Sequence, residues 1–106
     1  MEIENLQEII NNNDAVMVYF SGENCGVCKV LQPKIKTLFD TEFSKIKQVY
    51  ISADKYTQTA AQYNVLSIPT VIVYFDSKEF IRESRHISLT HISAQIQRVY
   101  EIFFTN

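Results

Sequence analysis

Tryptophan is absent from the 106 residues, and glycine, proline, cysteine and methionine occur twice each. So few glycines and prolines leave no linker and no low-complexity segment, and no internal repeat is visible. Two cysteines are too few to staple a fold together. They are not needed for that, because a chain with 46% hydrophobic and 21% charged residues builds an ordinary core. No run of basic residues occurs and the formal net charge is −2, which argues against nucleic acid as a partner. The longest apolar runs, Ala15 to Phe20 and Val71 to Phe75, fall far short of the roughly 20 residues that span a bilayer, so no membrane partner is expected. Met1-Glu2-Ile3-Glu4 lacks the basic start and apolar stretch of a signal peptide, which makes the cytoplasm the expected compartment. The length suits one domain over 1–106.

The scarce residues cluster. Gly22 and Gly26 flank or sit inside Cys25-Gly26-Val27-Cys28, so the chain is expected to spend its backbone freedom there. Two cysteines separated by two residues, in a reducing compartment, are more often redox-active or metal-binding than structural.

Hydrophobic periodicity places the pair. Ile3, Leu6, Ile9 and Ile10 predict a short amphipathic helix over 3–12. Ala15 to Phe20 is a continuous apolar run of the kind found in a strand buried on both faces. Ser21 to Asn24 is a loop. From about Cys25 to Glu42, Val27, Leu31, Ile35, Leu38 and Phe39 share a helical face, with Pro33 inside and expected to kink it. Strands are predicted over Ile46 to Ser52 and Thr70 to Phe75, with a short helix from Tyr56 to Tyr63 between them. Asp76 to Glu79 reads as a hairpin turn and Phe80 to Ser84 as the returning strand. Leu89, Ile92, Ile96, Val99, Tyr100 and Phe103 line a closing helix capped by Thr90 or Ser88. The alternating part implies parallel crossovers and the hairpin an antiparallel edge: an α/β fold, a mixed four-stranded sheet with helices on both faces. A site is expected at the carboxyl ends of the strands, where Cys25 falls.

Disulfide exchange has three physical requirements, and all meet there. The attacking sulfur must be a thiolate. A helix N-terminus offers unpaired N–H groups and positive dipole charge, here the amides of Val27 and Cys28, and Lys29 adds a cation. A partner sulfur must be in reach, and residues three apart on a helix lie about 5–6 Å apart at Cβ. One sulfur must be exposed and the other protected: Cys25 opens the helix, and Cys28 lies one turn in. In this reading Cys25 attacks and Cys28 resolves. Two other readings stand beside it. The cysteines are inert small residues, or half of a zinc site completed by His86 and His91, although the gap to His86 is several times the ~12–15 residues of a finger.

The segment Tyr19-Phe20-Ser21-Gly22-Glu23-Asn24-Cys25-Gly26-Val27-Cys28-Lys29 resembles the active-site segment of thioredoxins. Pro33 falls where that family has a kinking proline, and Ser67-Ile68-Pro69-Thr70 before an apolar strand resembles its cis-proline loop. The resemblance covers nearly the whole chain and implies the thioredoxin fold, with the family's first strand missing or reduced because too few residues precede Ala15. It implies a cis bond at Pro69, a substrate segment paired to the backbone of Ile68, and a redox-active Cys25–Cys28 disulfide. Asn24, Ile68 and Pro69 would then contact substrate, while Gly26, Val27, Lys29 and Tyr19 would support the cysteines. Asn24 stands where the family has tryptophan and Val27 where it has proline. The buried acid that assists the second cysteine is replaced by Tyr19 and its lysine companion by Tyr50. A tyrosine of reference pKa near 10 is a poor proton acceptor at neutral pH, which implies a slower resolving step or one that uses water. The family's glycine near the last loop is missing around His86 and Ile87. His86 is either a solvated loop histidine or a rim group that helps hold a thiolate. Asp54, Lys55 and Glu23 read as surface charges.

The function so implied is protein-disulfide reduction by dithiol exchange. The clients are disulfide-containing proteins, the donor is a flavin-dependent thioredoxin reductase, and the chain is a monomer that holds no cofactor and no metal. A thioredoxin-like protein with a dedicated client, and a non-catalytic peptide-binding module on the same fold, are the competing readings.

Overall fold

The computed structural model describes residues 5–105. The elements run α1 (Leu6–Asn12), β1 (Ala15–Ser21), α2 (Gly26–Glu42), β2 (Lys47–Ser52), α3 (Thr57–Gln62), β3 (Thr70–Phe75), β4 (Lys78–Ser84) and α4 (Leu89–Phe104). Ile3, the first residue of the expected amino-terminal stripe, lies outside the described residues. Other boundaries fall within a residue or two of those that periodicity predicts, as helix and strand ends generally do.

The strands form one four-stranded sheet in the order β2-β1-β3-β4. Among the described residues no strand precedes β1, in keeping with the reduced amino-terminal part expected. β1 is central, and its pleat sends alternate side chains to two cores. Met17 and Tyr19 join Ile35 and Phe39 of α2 and Ile92 and Ile96 of α4. Val16, Val18 and Phe20 join Leu6 and Ile10 of α1 and Ala60 of α3. Helices therefore cover both faces, and the continuous apolar run of β1 follows from that double burial. α2 runs unbroken through Pro33, which it presents on its exposed side. α4 begins at Ser88, whose hydroxyl accepts from the His91 amide at 3.2 Å; Ser88 and not Thr90 is the cap.

Two expectations are corrected. The crossovers are not all parallel: β2 runs parallel to β1, but β3 runs antiparallel to it. The length of α3 explains why. Its six residues rise about 9 Å, while a six-residue strand is about 20 Å long, so the helix does not return the chain to the far end of the sheet. The chain re-enters at the end where β2 left, which places Pro69 beside the loop that carries the cysteines. The hairpin turn is also shorter than expected. Asp76 and Ser77 alone make it, both with positive φ (54° and 67°), the conformation of a two-residue type I′ turn, and Lys78 and Glu79 already belong to β4. A register shift at Val73/Tyr74 accommodates one extra residue on β4.

Candidate redox site

The buried strand β1 delivers the chain to Ser21 and then to Gly22, which is buried. A Cβ at Gly22 would lie 2.5 Å from Ile68 Cδ1 and 2.9 Å from Asp54 Oδ2. A Cβ at Gly26 would meet nothing within 4 Å, and no described glycine has a positive φ. The expected use of glycine freedom around the cysteines is therefore corrected: Gly22 is there for close approach, not for an unusual backbone. The loop is pinned further by the Glu23 amide, which donates to Asp54 Oδ2 at 2.7 Å, and by the Ala53 amide, which donates to the Ser21 carbonyl at 2.7 Å. Asp54 is thus more than a surface charge. Lys55 and Glu23 stay exposed, 3.9 Å apart.

Cys25 caps α2 in an extended conformation, and its sulfur accepts from the Cys28 amide at 3.1 Å. Of the two amides expected to point at this sulfur, it is the Cys28 amide that makes the bond. The Lys29 amide donates to the Cys25 carbonyl at 3.2 Å. Cys25 and Cys28 form a disulfide, with Cα atoms 5.2 Å apart. Cys25 is half-buried, and Cys28 is 1% exposed against the sheet. A helix N-terminus with an N–H already aimed at the outer sulfur stabilises that sulfur as a thiolate once the bond is opened.

Tyr19 reaches this turn from below. Its ring is buried and its hydroxyl donates to the Cys28 carbonyl at 2.9 Å; burial pushes its pKa up to about 12. Tyr50, its neighbour in the β1–β2 register, meets it edge-on with ring centres 5.9 Å apart. The Tyr50 hydroxyl turns away and donates to Gln48 Oε1 at 2.5 Å, and burial, with a smaller contribution from the charge of Asp40, pushes its pKa up to about 12 as well. The two positions singled out by resemblance are thus adjacent, but Tyr19 addresses a backbone oxygen and not a thiol.

The second loop stands opposite. The Ile68–Pro69 bond is cis and Pro69 is buried. The fully buried Thr70 donates its hydroxyl to the Ser67 carbonyl at 2.7 Å and lies 2.9 Å from the Ser84 hydroxyl. The Arg85 amide donates to the Pro69 carbonyl at 2.9 Å. Asn24, Val27 and Lys29 are exposed around the cysteines, as is His86 at the end of β4. His91 lies elsewhere, 3.6 Å from Glu83. Among the described residues, His, Cys, Asp and Glu side chains form no group of three or more suited to a metal ion. Two apolar residues near the site were not singled out from sequence: Val30, 62% exposed beside Val27 at 61%, and Leu66 at 93% on the proline loop. A helical stripe that faces water differs from one that faces a core only through its neighbours, and periodicity does not supply those.

The thioredoxin family model matches residues 1–98. The chain belongs to the thioredoxin family. A thioredoxin-like protein of Bacillus subtilis, YdfQ, is 26% identical over 92% of this chain and 87% of its own length. A thioredoxin of Mycoplasma genitalium is 35% identical over 73% of this chain and 74% of its own. The solved structure of thioredoxin 1 from Thermosipho africanus superposes with a TM-score of 0.75 at 31% identity, covering 82% of this chain and 96% of that one. The thioredoxin fold is thereby shown, with the mixed four-stranded sheet expected from sequence. Family membership and the Cys25–Cys28 pair support thiol–disulfide oxidoreductase activity, and thioredoxins typically act on disulfide clients, often with thioredoxin reductase. Among the described residues of this thioredoxin-family chain, no helix is long and apolar enough to cross a membrane.

Proposed function

We propose that this chain is a protein-disulfide reductase that works by dithiol exchange. The observation that carries the reading is the pairing of a half-buried Cys25 at a helix N-terminus with a Cys28 that is 1% exposed. The Cys25 thiolate attacks one sulfur of a client disulfide, forming a mixed disulfide and expelling the other client sulfur as a thiolate. Cys28 loses its proton, attacks the Cys25 sulfur and expels the first client sulfur. The client leaves as a dithiol and Cys25–Cys28 as a disulfide. Two electrons from a donor, a thioredoxin reductase in this reading, restore the dithiol. Gly26, Val27 and Lys29 shape the turn, and Asn24, Ile68 and Pro69 face the client. Residues 1–106 act as one domain, a monomer in the cytoplasm, where thiols are kept reduced.

The test is insulin reduction with dithiothreitol as donor. The unaltered protein accelerates it well above the dithiothreitol background, and Cys25→Ser returns the rate to that background. An unaltered protein no faster than background would overturn the general-reductase reading. It would leave the narrower one, a dedicated client, which has its own support in the exposed apolar side chains of Val27 and Val30 on α2 and of Leu66 on the proline loop.

A further inference from the structure

Tyr19 is 0% exposed in the middle of a strand, where the cost of burying an idle hydroxyl would be highest. It is not idle. The Cys28 carbonyl that it holds belongs to the peptide linking Cys28 to Lys29, and the N–H of that same peptide donates to the Cys25 carbonyl at 3.2 Å. Hydrogen bonds at the two ends of one peptide polarise and strengthen each other. The Cys28 amide in turn reaches the Cys25 sulfur at 3.1 Å. A single buried hydroxyl on β1 therefore anchors the backbone that carries both sulfurs. Of the other buried hydroxyls, Ser52 Oγ at the end of β2 makes no hydrogen bond. The Tyr50 hydroxyl is engaged with Gln48, and Thr70, the one other fully buried polar residue among those described, is engaged with Ser67 and Ser84.

We propose that Tyr19 is a positioning residue for the cysteine pair, holding the first turn of α2 so that Cys28 stays in reach of Cys25 when no disulfide joins them. In the oxidised form the covalent bond itself limits the turn. In the dithiol and mixed-disulfide forms only the hydrogen bonds do, so the tether acts there, by raising the effective concentration of one sulfur at the other. A phenol suits the task because it stays protonated across the working pH range, so that the hold does not vary with pH. The inference rests on the reading that the pair cycles between dithiol and disulfide, but not on turnover of any client.

The experiment is the equilibrium of the Cys25–Cys28 pair with reduced and oxidised glutathione, for the unaltered protein, Tyr19→Phe and Tyr50→Phe. Melting curves verify that each variant is folded. Tyr19→Phe is expected to lower the equilibrium constant for disulfide formation about fivefold, the scale of one hydrogen bond. It is expected to slow closure of a glutathione mixed disulfide by a similar factor, while attack of Cys25 on an added small disulfide changes less than about twofold. Tyr50→Phe is expected to leave all three unchanged. An unaltered equilibrium constant in Tyr19→Phe, an equal fall in Tyr50→Phe, or equal slowing of attack and closure would each overturn the proposal. One reading uses the unaltered protein alone: the Lys29 amide stays protected from hydrogen exchange in the dithiol form, and fast exchange there would overturn it too. Insulin inactivity would sink the reductase reading without touching this equilibrium, so the two failures are told apart.

Discussion

Two loops meet at one end of the sheet and are held there in different ways. The cysteine turn is held by bonds to the groups that carry the chemistry: the Cys28 amide on the Cys25 sulfur, the Lys29 amide on the Cys25 carbonyl, Tyr19 on the Cys28 carbonyl. The proline loop is held from behind, by the Thr70 hydroxyl on Ser67 and the Arg85 amide on Pro69. None of its bonds involves a sulfur. The turn is therefore held through groups that respond when a disulfide opens, while the loop beside it is a fixed wall. Where the two touch, at Gly22 and Ile68, a side chain would have to displace Ile68 Cδ1 and the Asp54 carboxylate.

The largest expected effect breaks the turn and spares the wall. Cys28→Ser leaves Cys25 able to attack and removes the group that completes the exchange. Turnover of insulin falls to background, and the variant accumulates as a covalent adduct with its client, seen as a mass increase that dithiothreitol reverses. A turnover-competent Cys28→Ser would mean that the client's own second thiol does the resolving.

High pH is expected to loosen the molecule from the sheet side. Tyr19, Tyr50 and Tyr74 all have pKa values pushed up to about 12 from about 10, in each case first by burial. A folded-state pKa above the unfolded value means that the folded state holds its proton more tightly. The contribution is complete below about pH 10 and is lost as pH rises toward about 12. The melting temperature should therefore be level up to about pH 9 and fall beyond about pH 10, with tyrosinate absorbance rising in step. Tyr19→Phe removes one of the three groups and should flatten part of that fall. A fall below about pH 9 would assign the alkaline loss to other groups.

Gly22→Ala tests the contact between the loops. The added carbon must displace Ile68 Cδ1 and the Asp54 carboxylate, and moving Asp54 loosens its bond to the Glu23 amide. Both obstacles are side-chain ends, which can give, so the expected cost is about 1–2 kcal/mol by denaturant unfolding, the lower part of the overpacking range. No loss of stability would mean that the loops are less closely packed than these distances show.

The comparison also separates what the chain discloses from what it hides. The cysteine turn was legible because its parts are consecutive: an apolar run, a short polar loop, two cysteines three apart, a helical stripe. Local pattern carries strand, loop and helix, and it narrowed the cap of α4 to Thr90 or Ser88 in the same way. The proline loop was legible only by resemblance, since Ile68-Pro69 alone does not say which way the next strand runs. Periodicity marks Thr70 to Phe75 as a strand and is silent on its direction; that is decided by α3, whose six residues are too short to recross the sheet. The Asp76-Ser77 turn was misjudged because serine is an unusual residue at positive φ, and the hairpin signal is usually Asn-Gly or Asp-Gly. Tyr19 was singled out only by resemblance, with no face of its strand assigned. That its hydroxyl would meet a carbonyl and not the thiol depends on how deep α2 sits over β1, a property of packing that no sequence interval encodes.

The smallest effect concerns the other glycine. Gly26 is the first residue of α2, exposed, without a positive φ, and with open space where its Cβ would be. Nothing in the disulfide form forbids alanine there. Alanine narrows the unfolded ensemble and favours the helix, so Gly26→Ala is expected to stabilise the oxidised protein by about 0.5 kcal/mol. Its sign is opposite to that of Gly22→Ala four residues away, and the pair isolates cause: one glycine answers to a neighbouring loop, the other to nothing in the folded oxidised state. If Gly26→Ala instead destabilises the protein once the disulfide is reduced, the glycine between the sulfurs serves a conformation that the turn adopts only as a dithiol. The flexibility of the turn, and not its shape, would then be what distinguishes it from the wall.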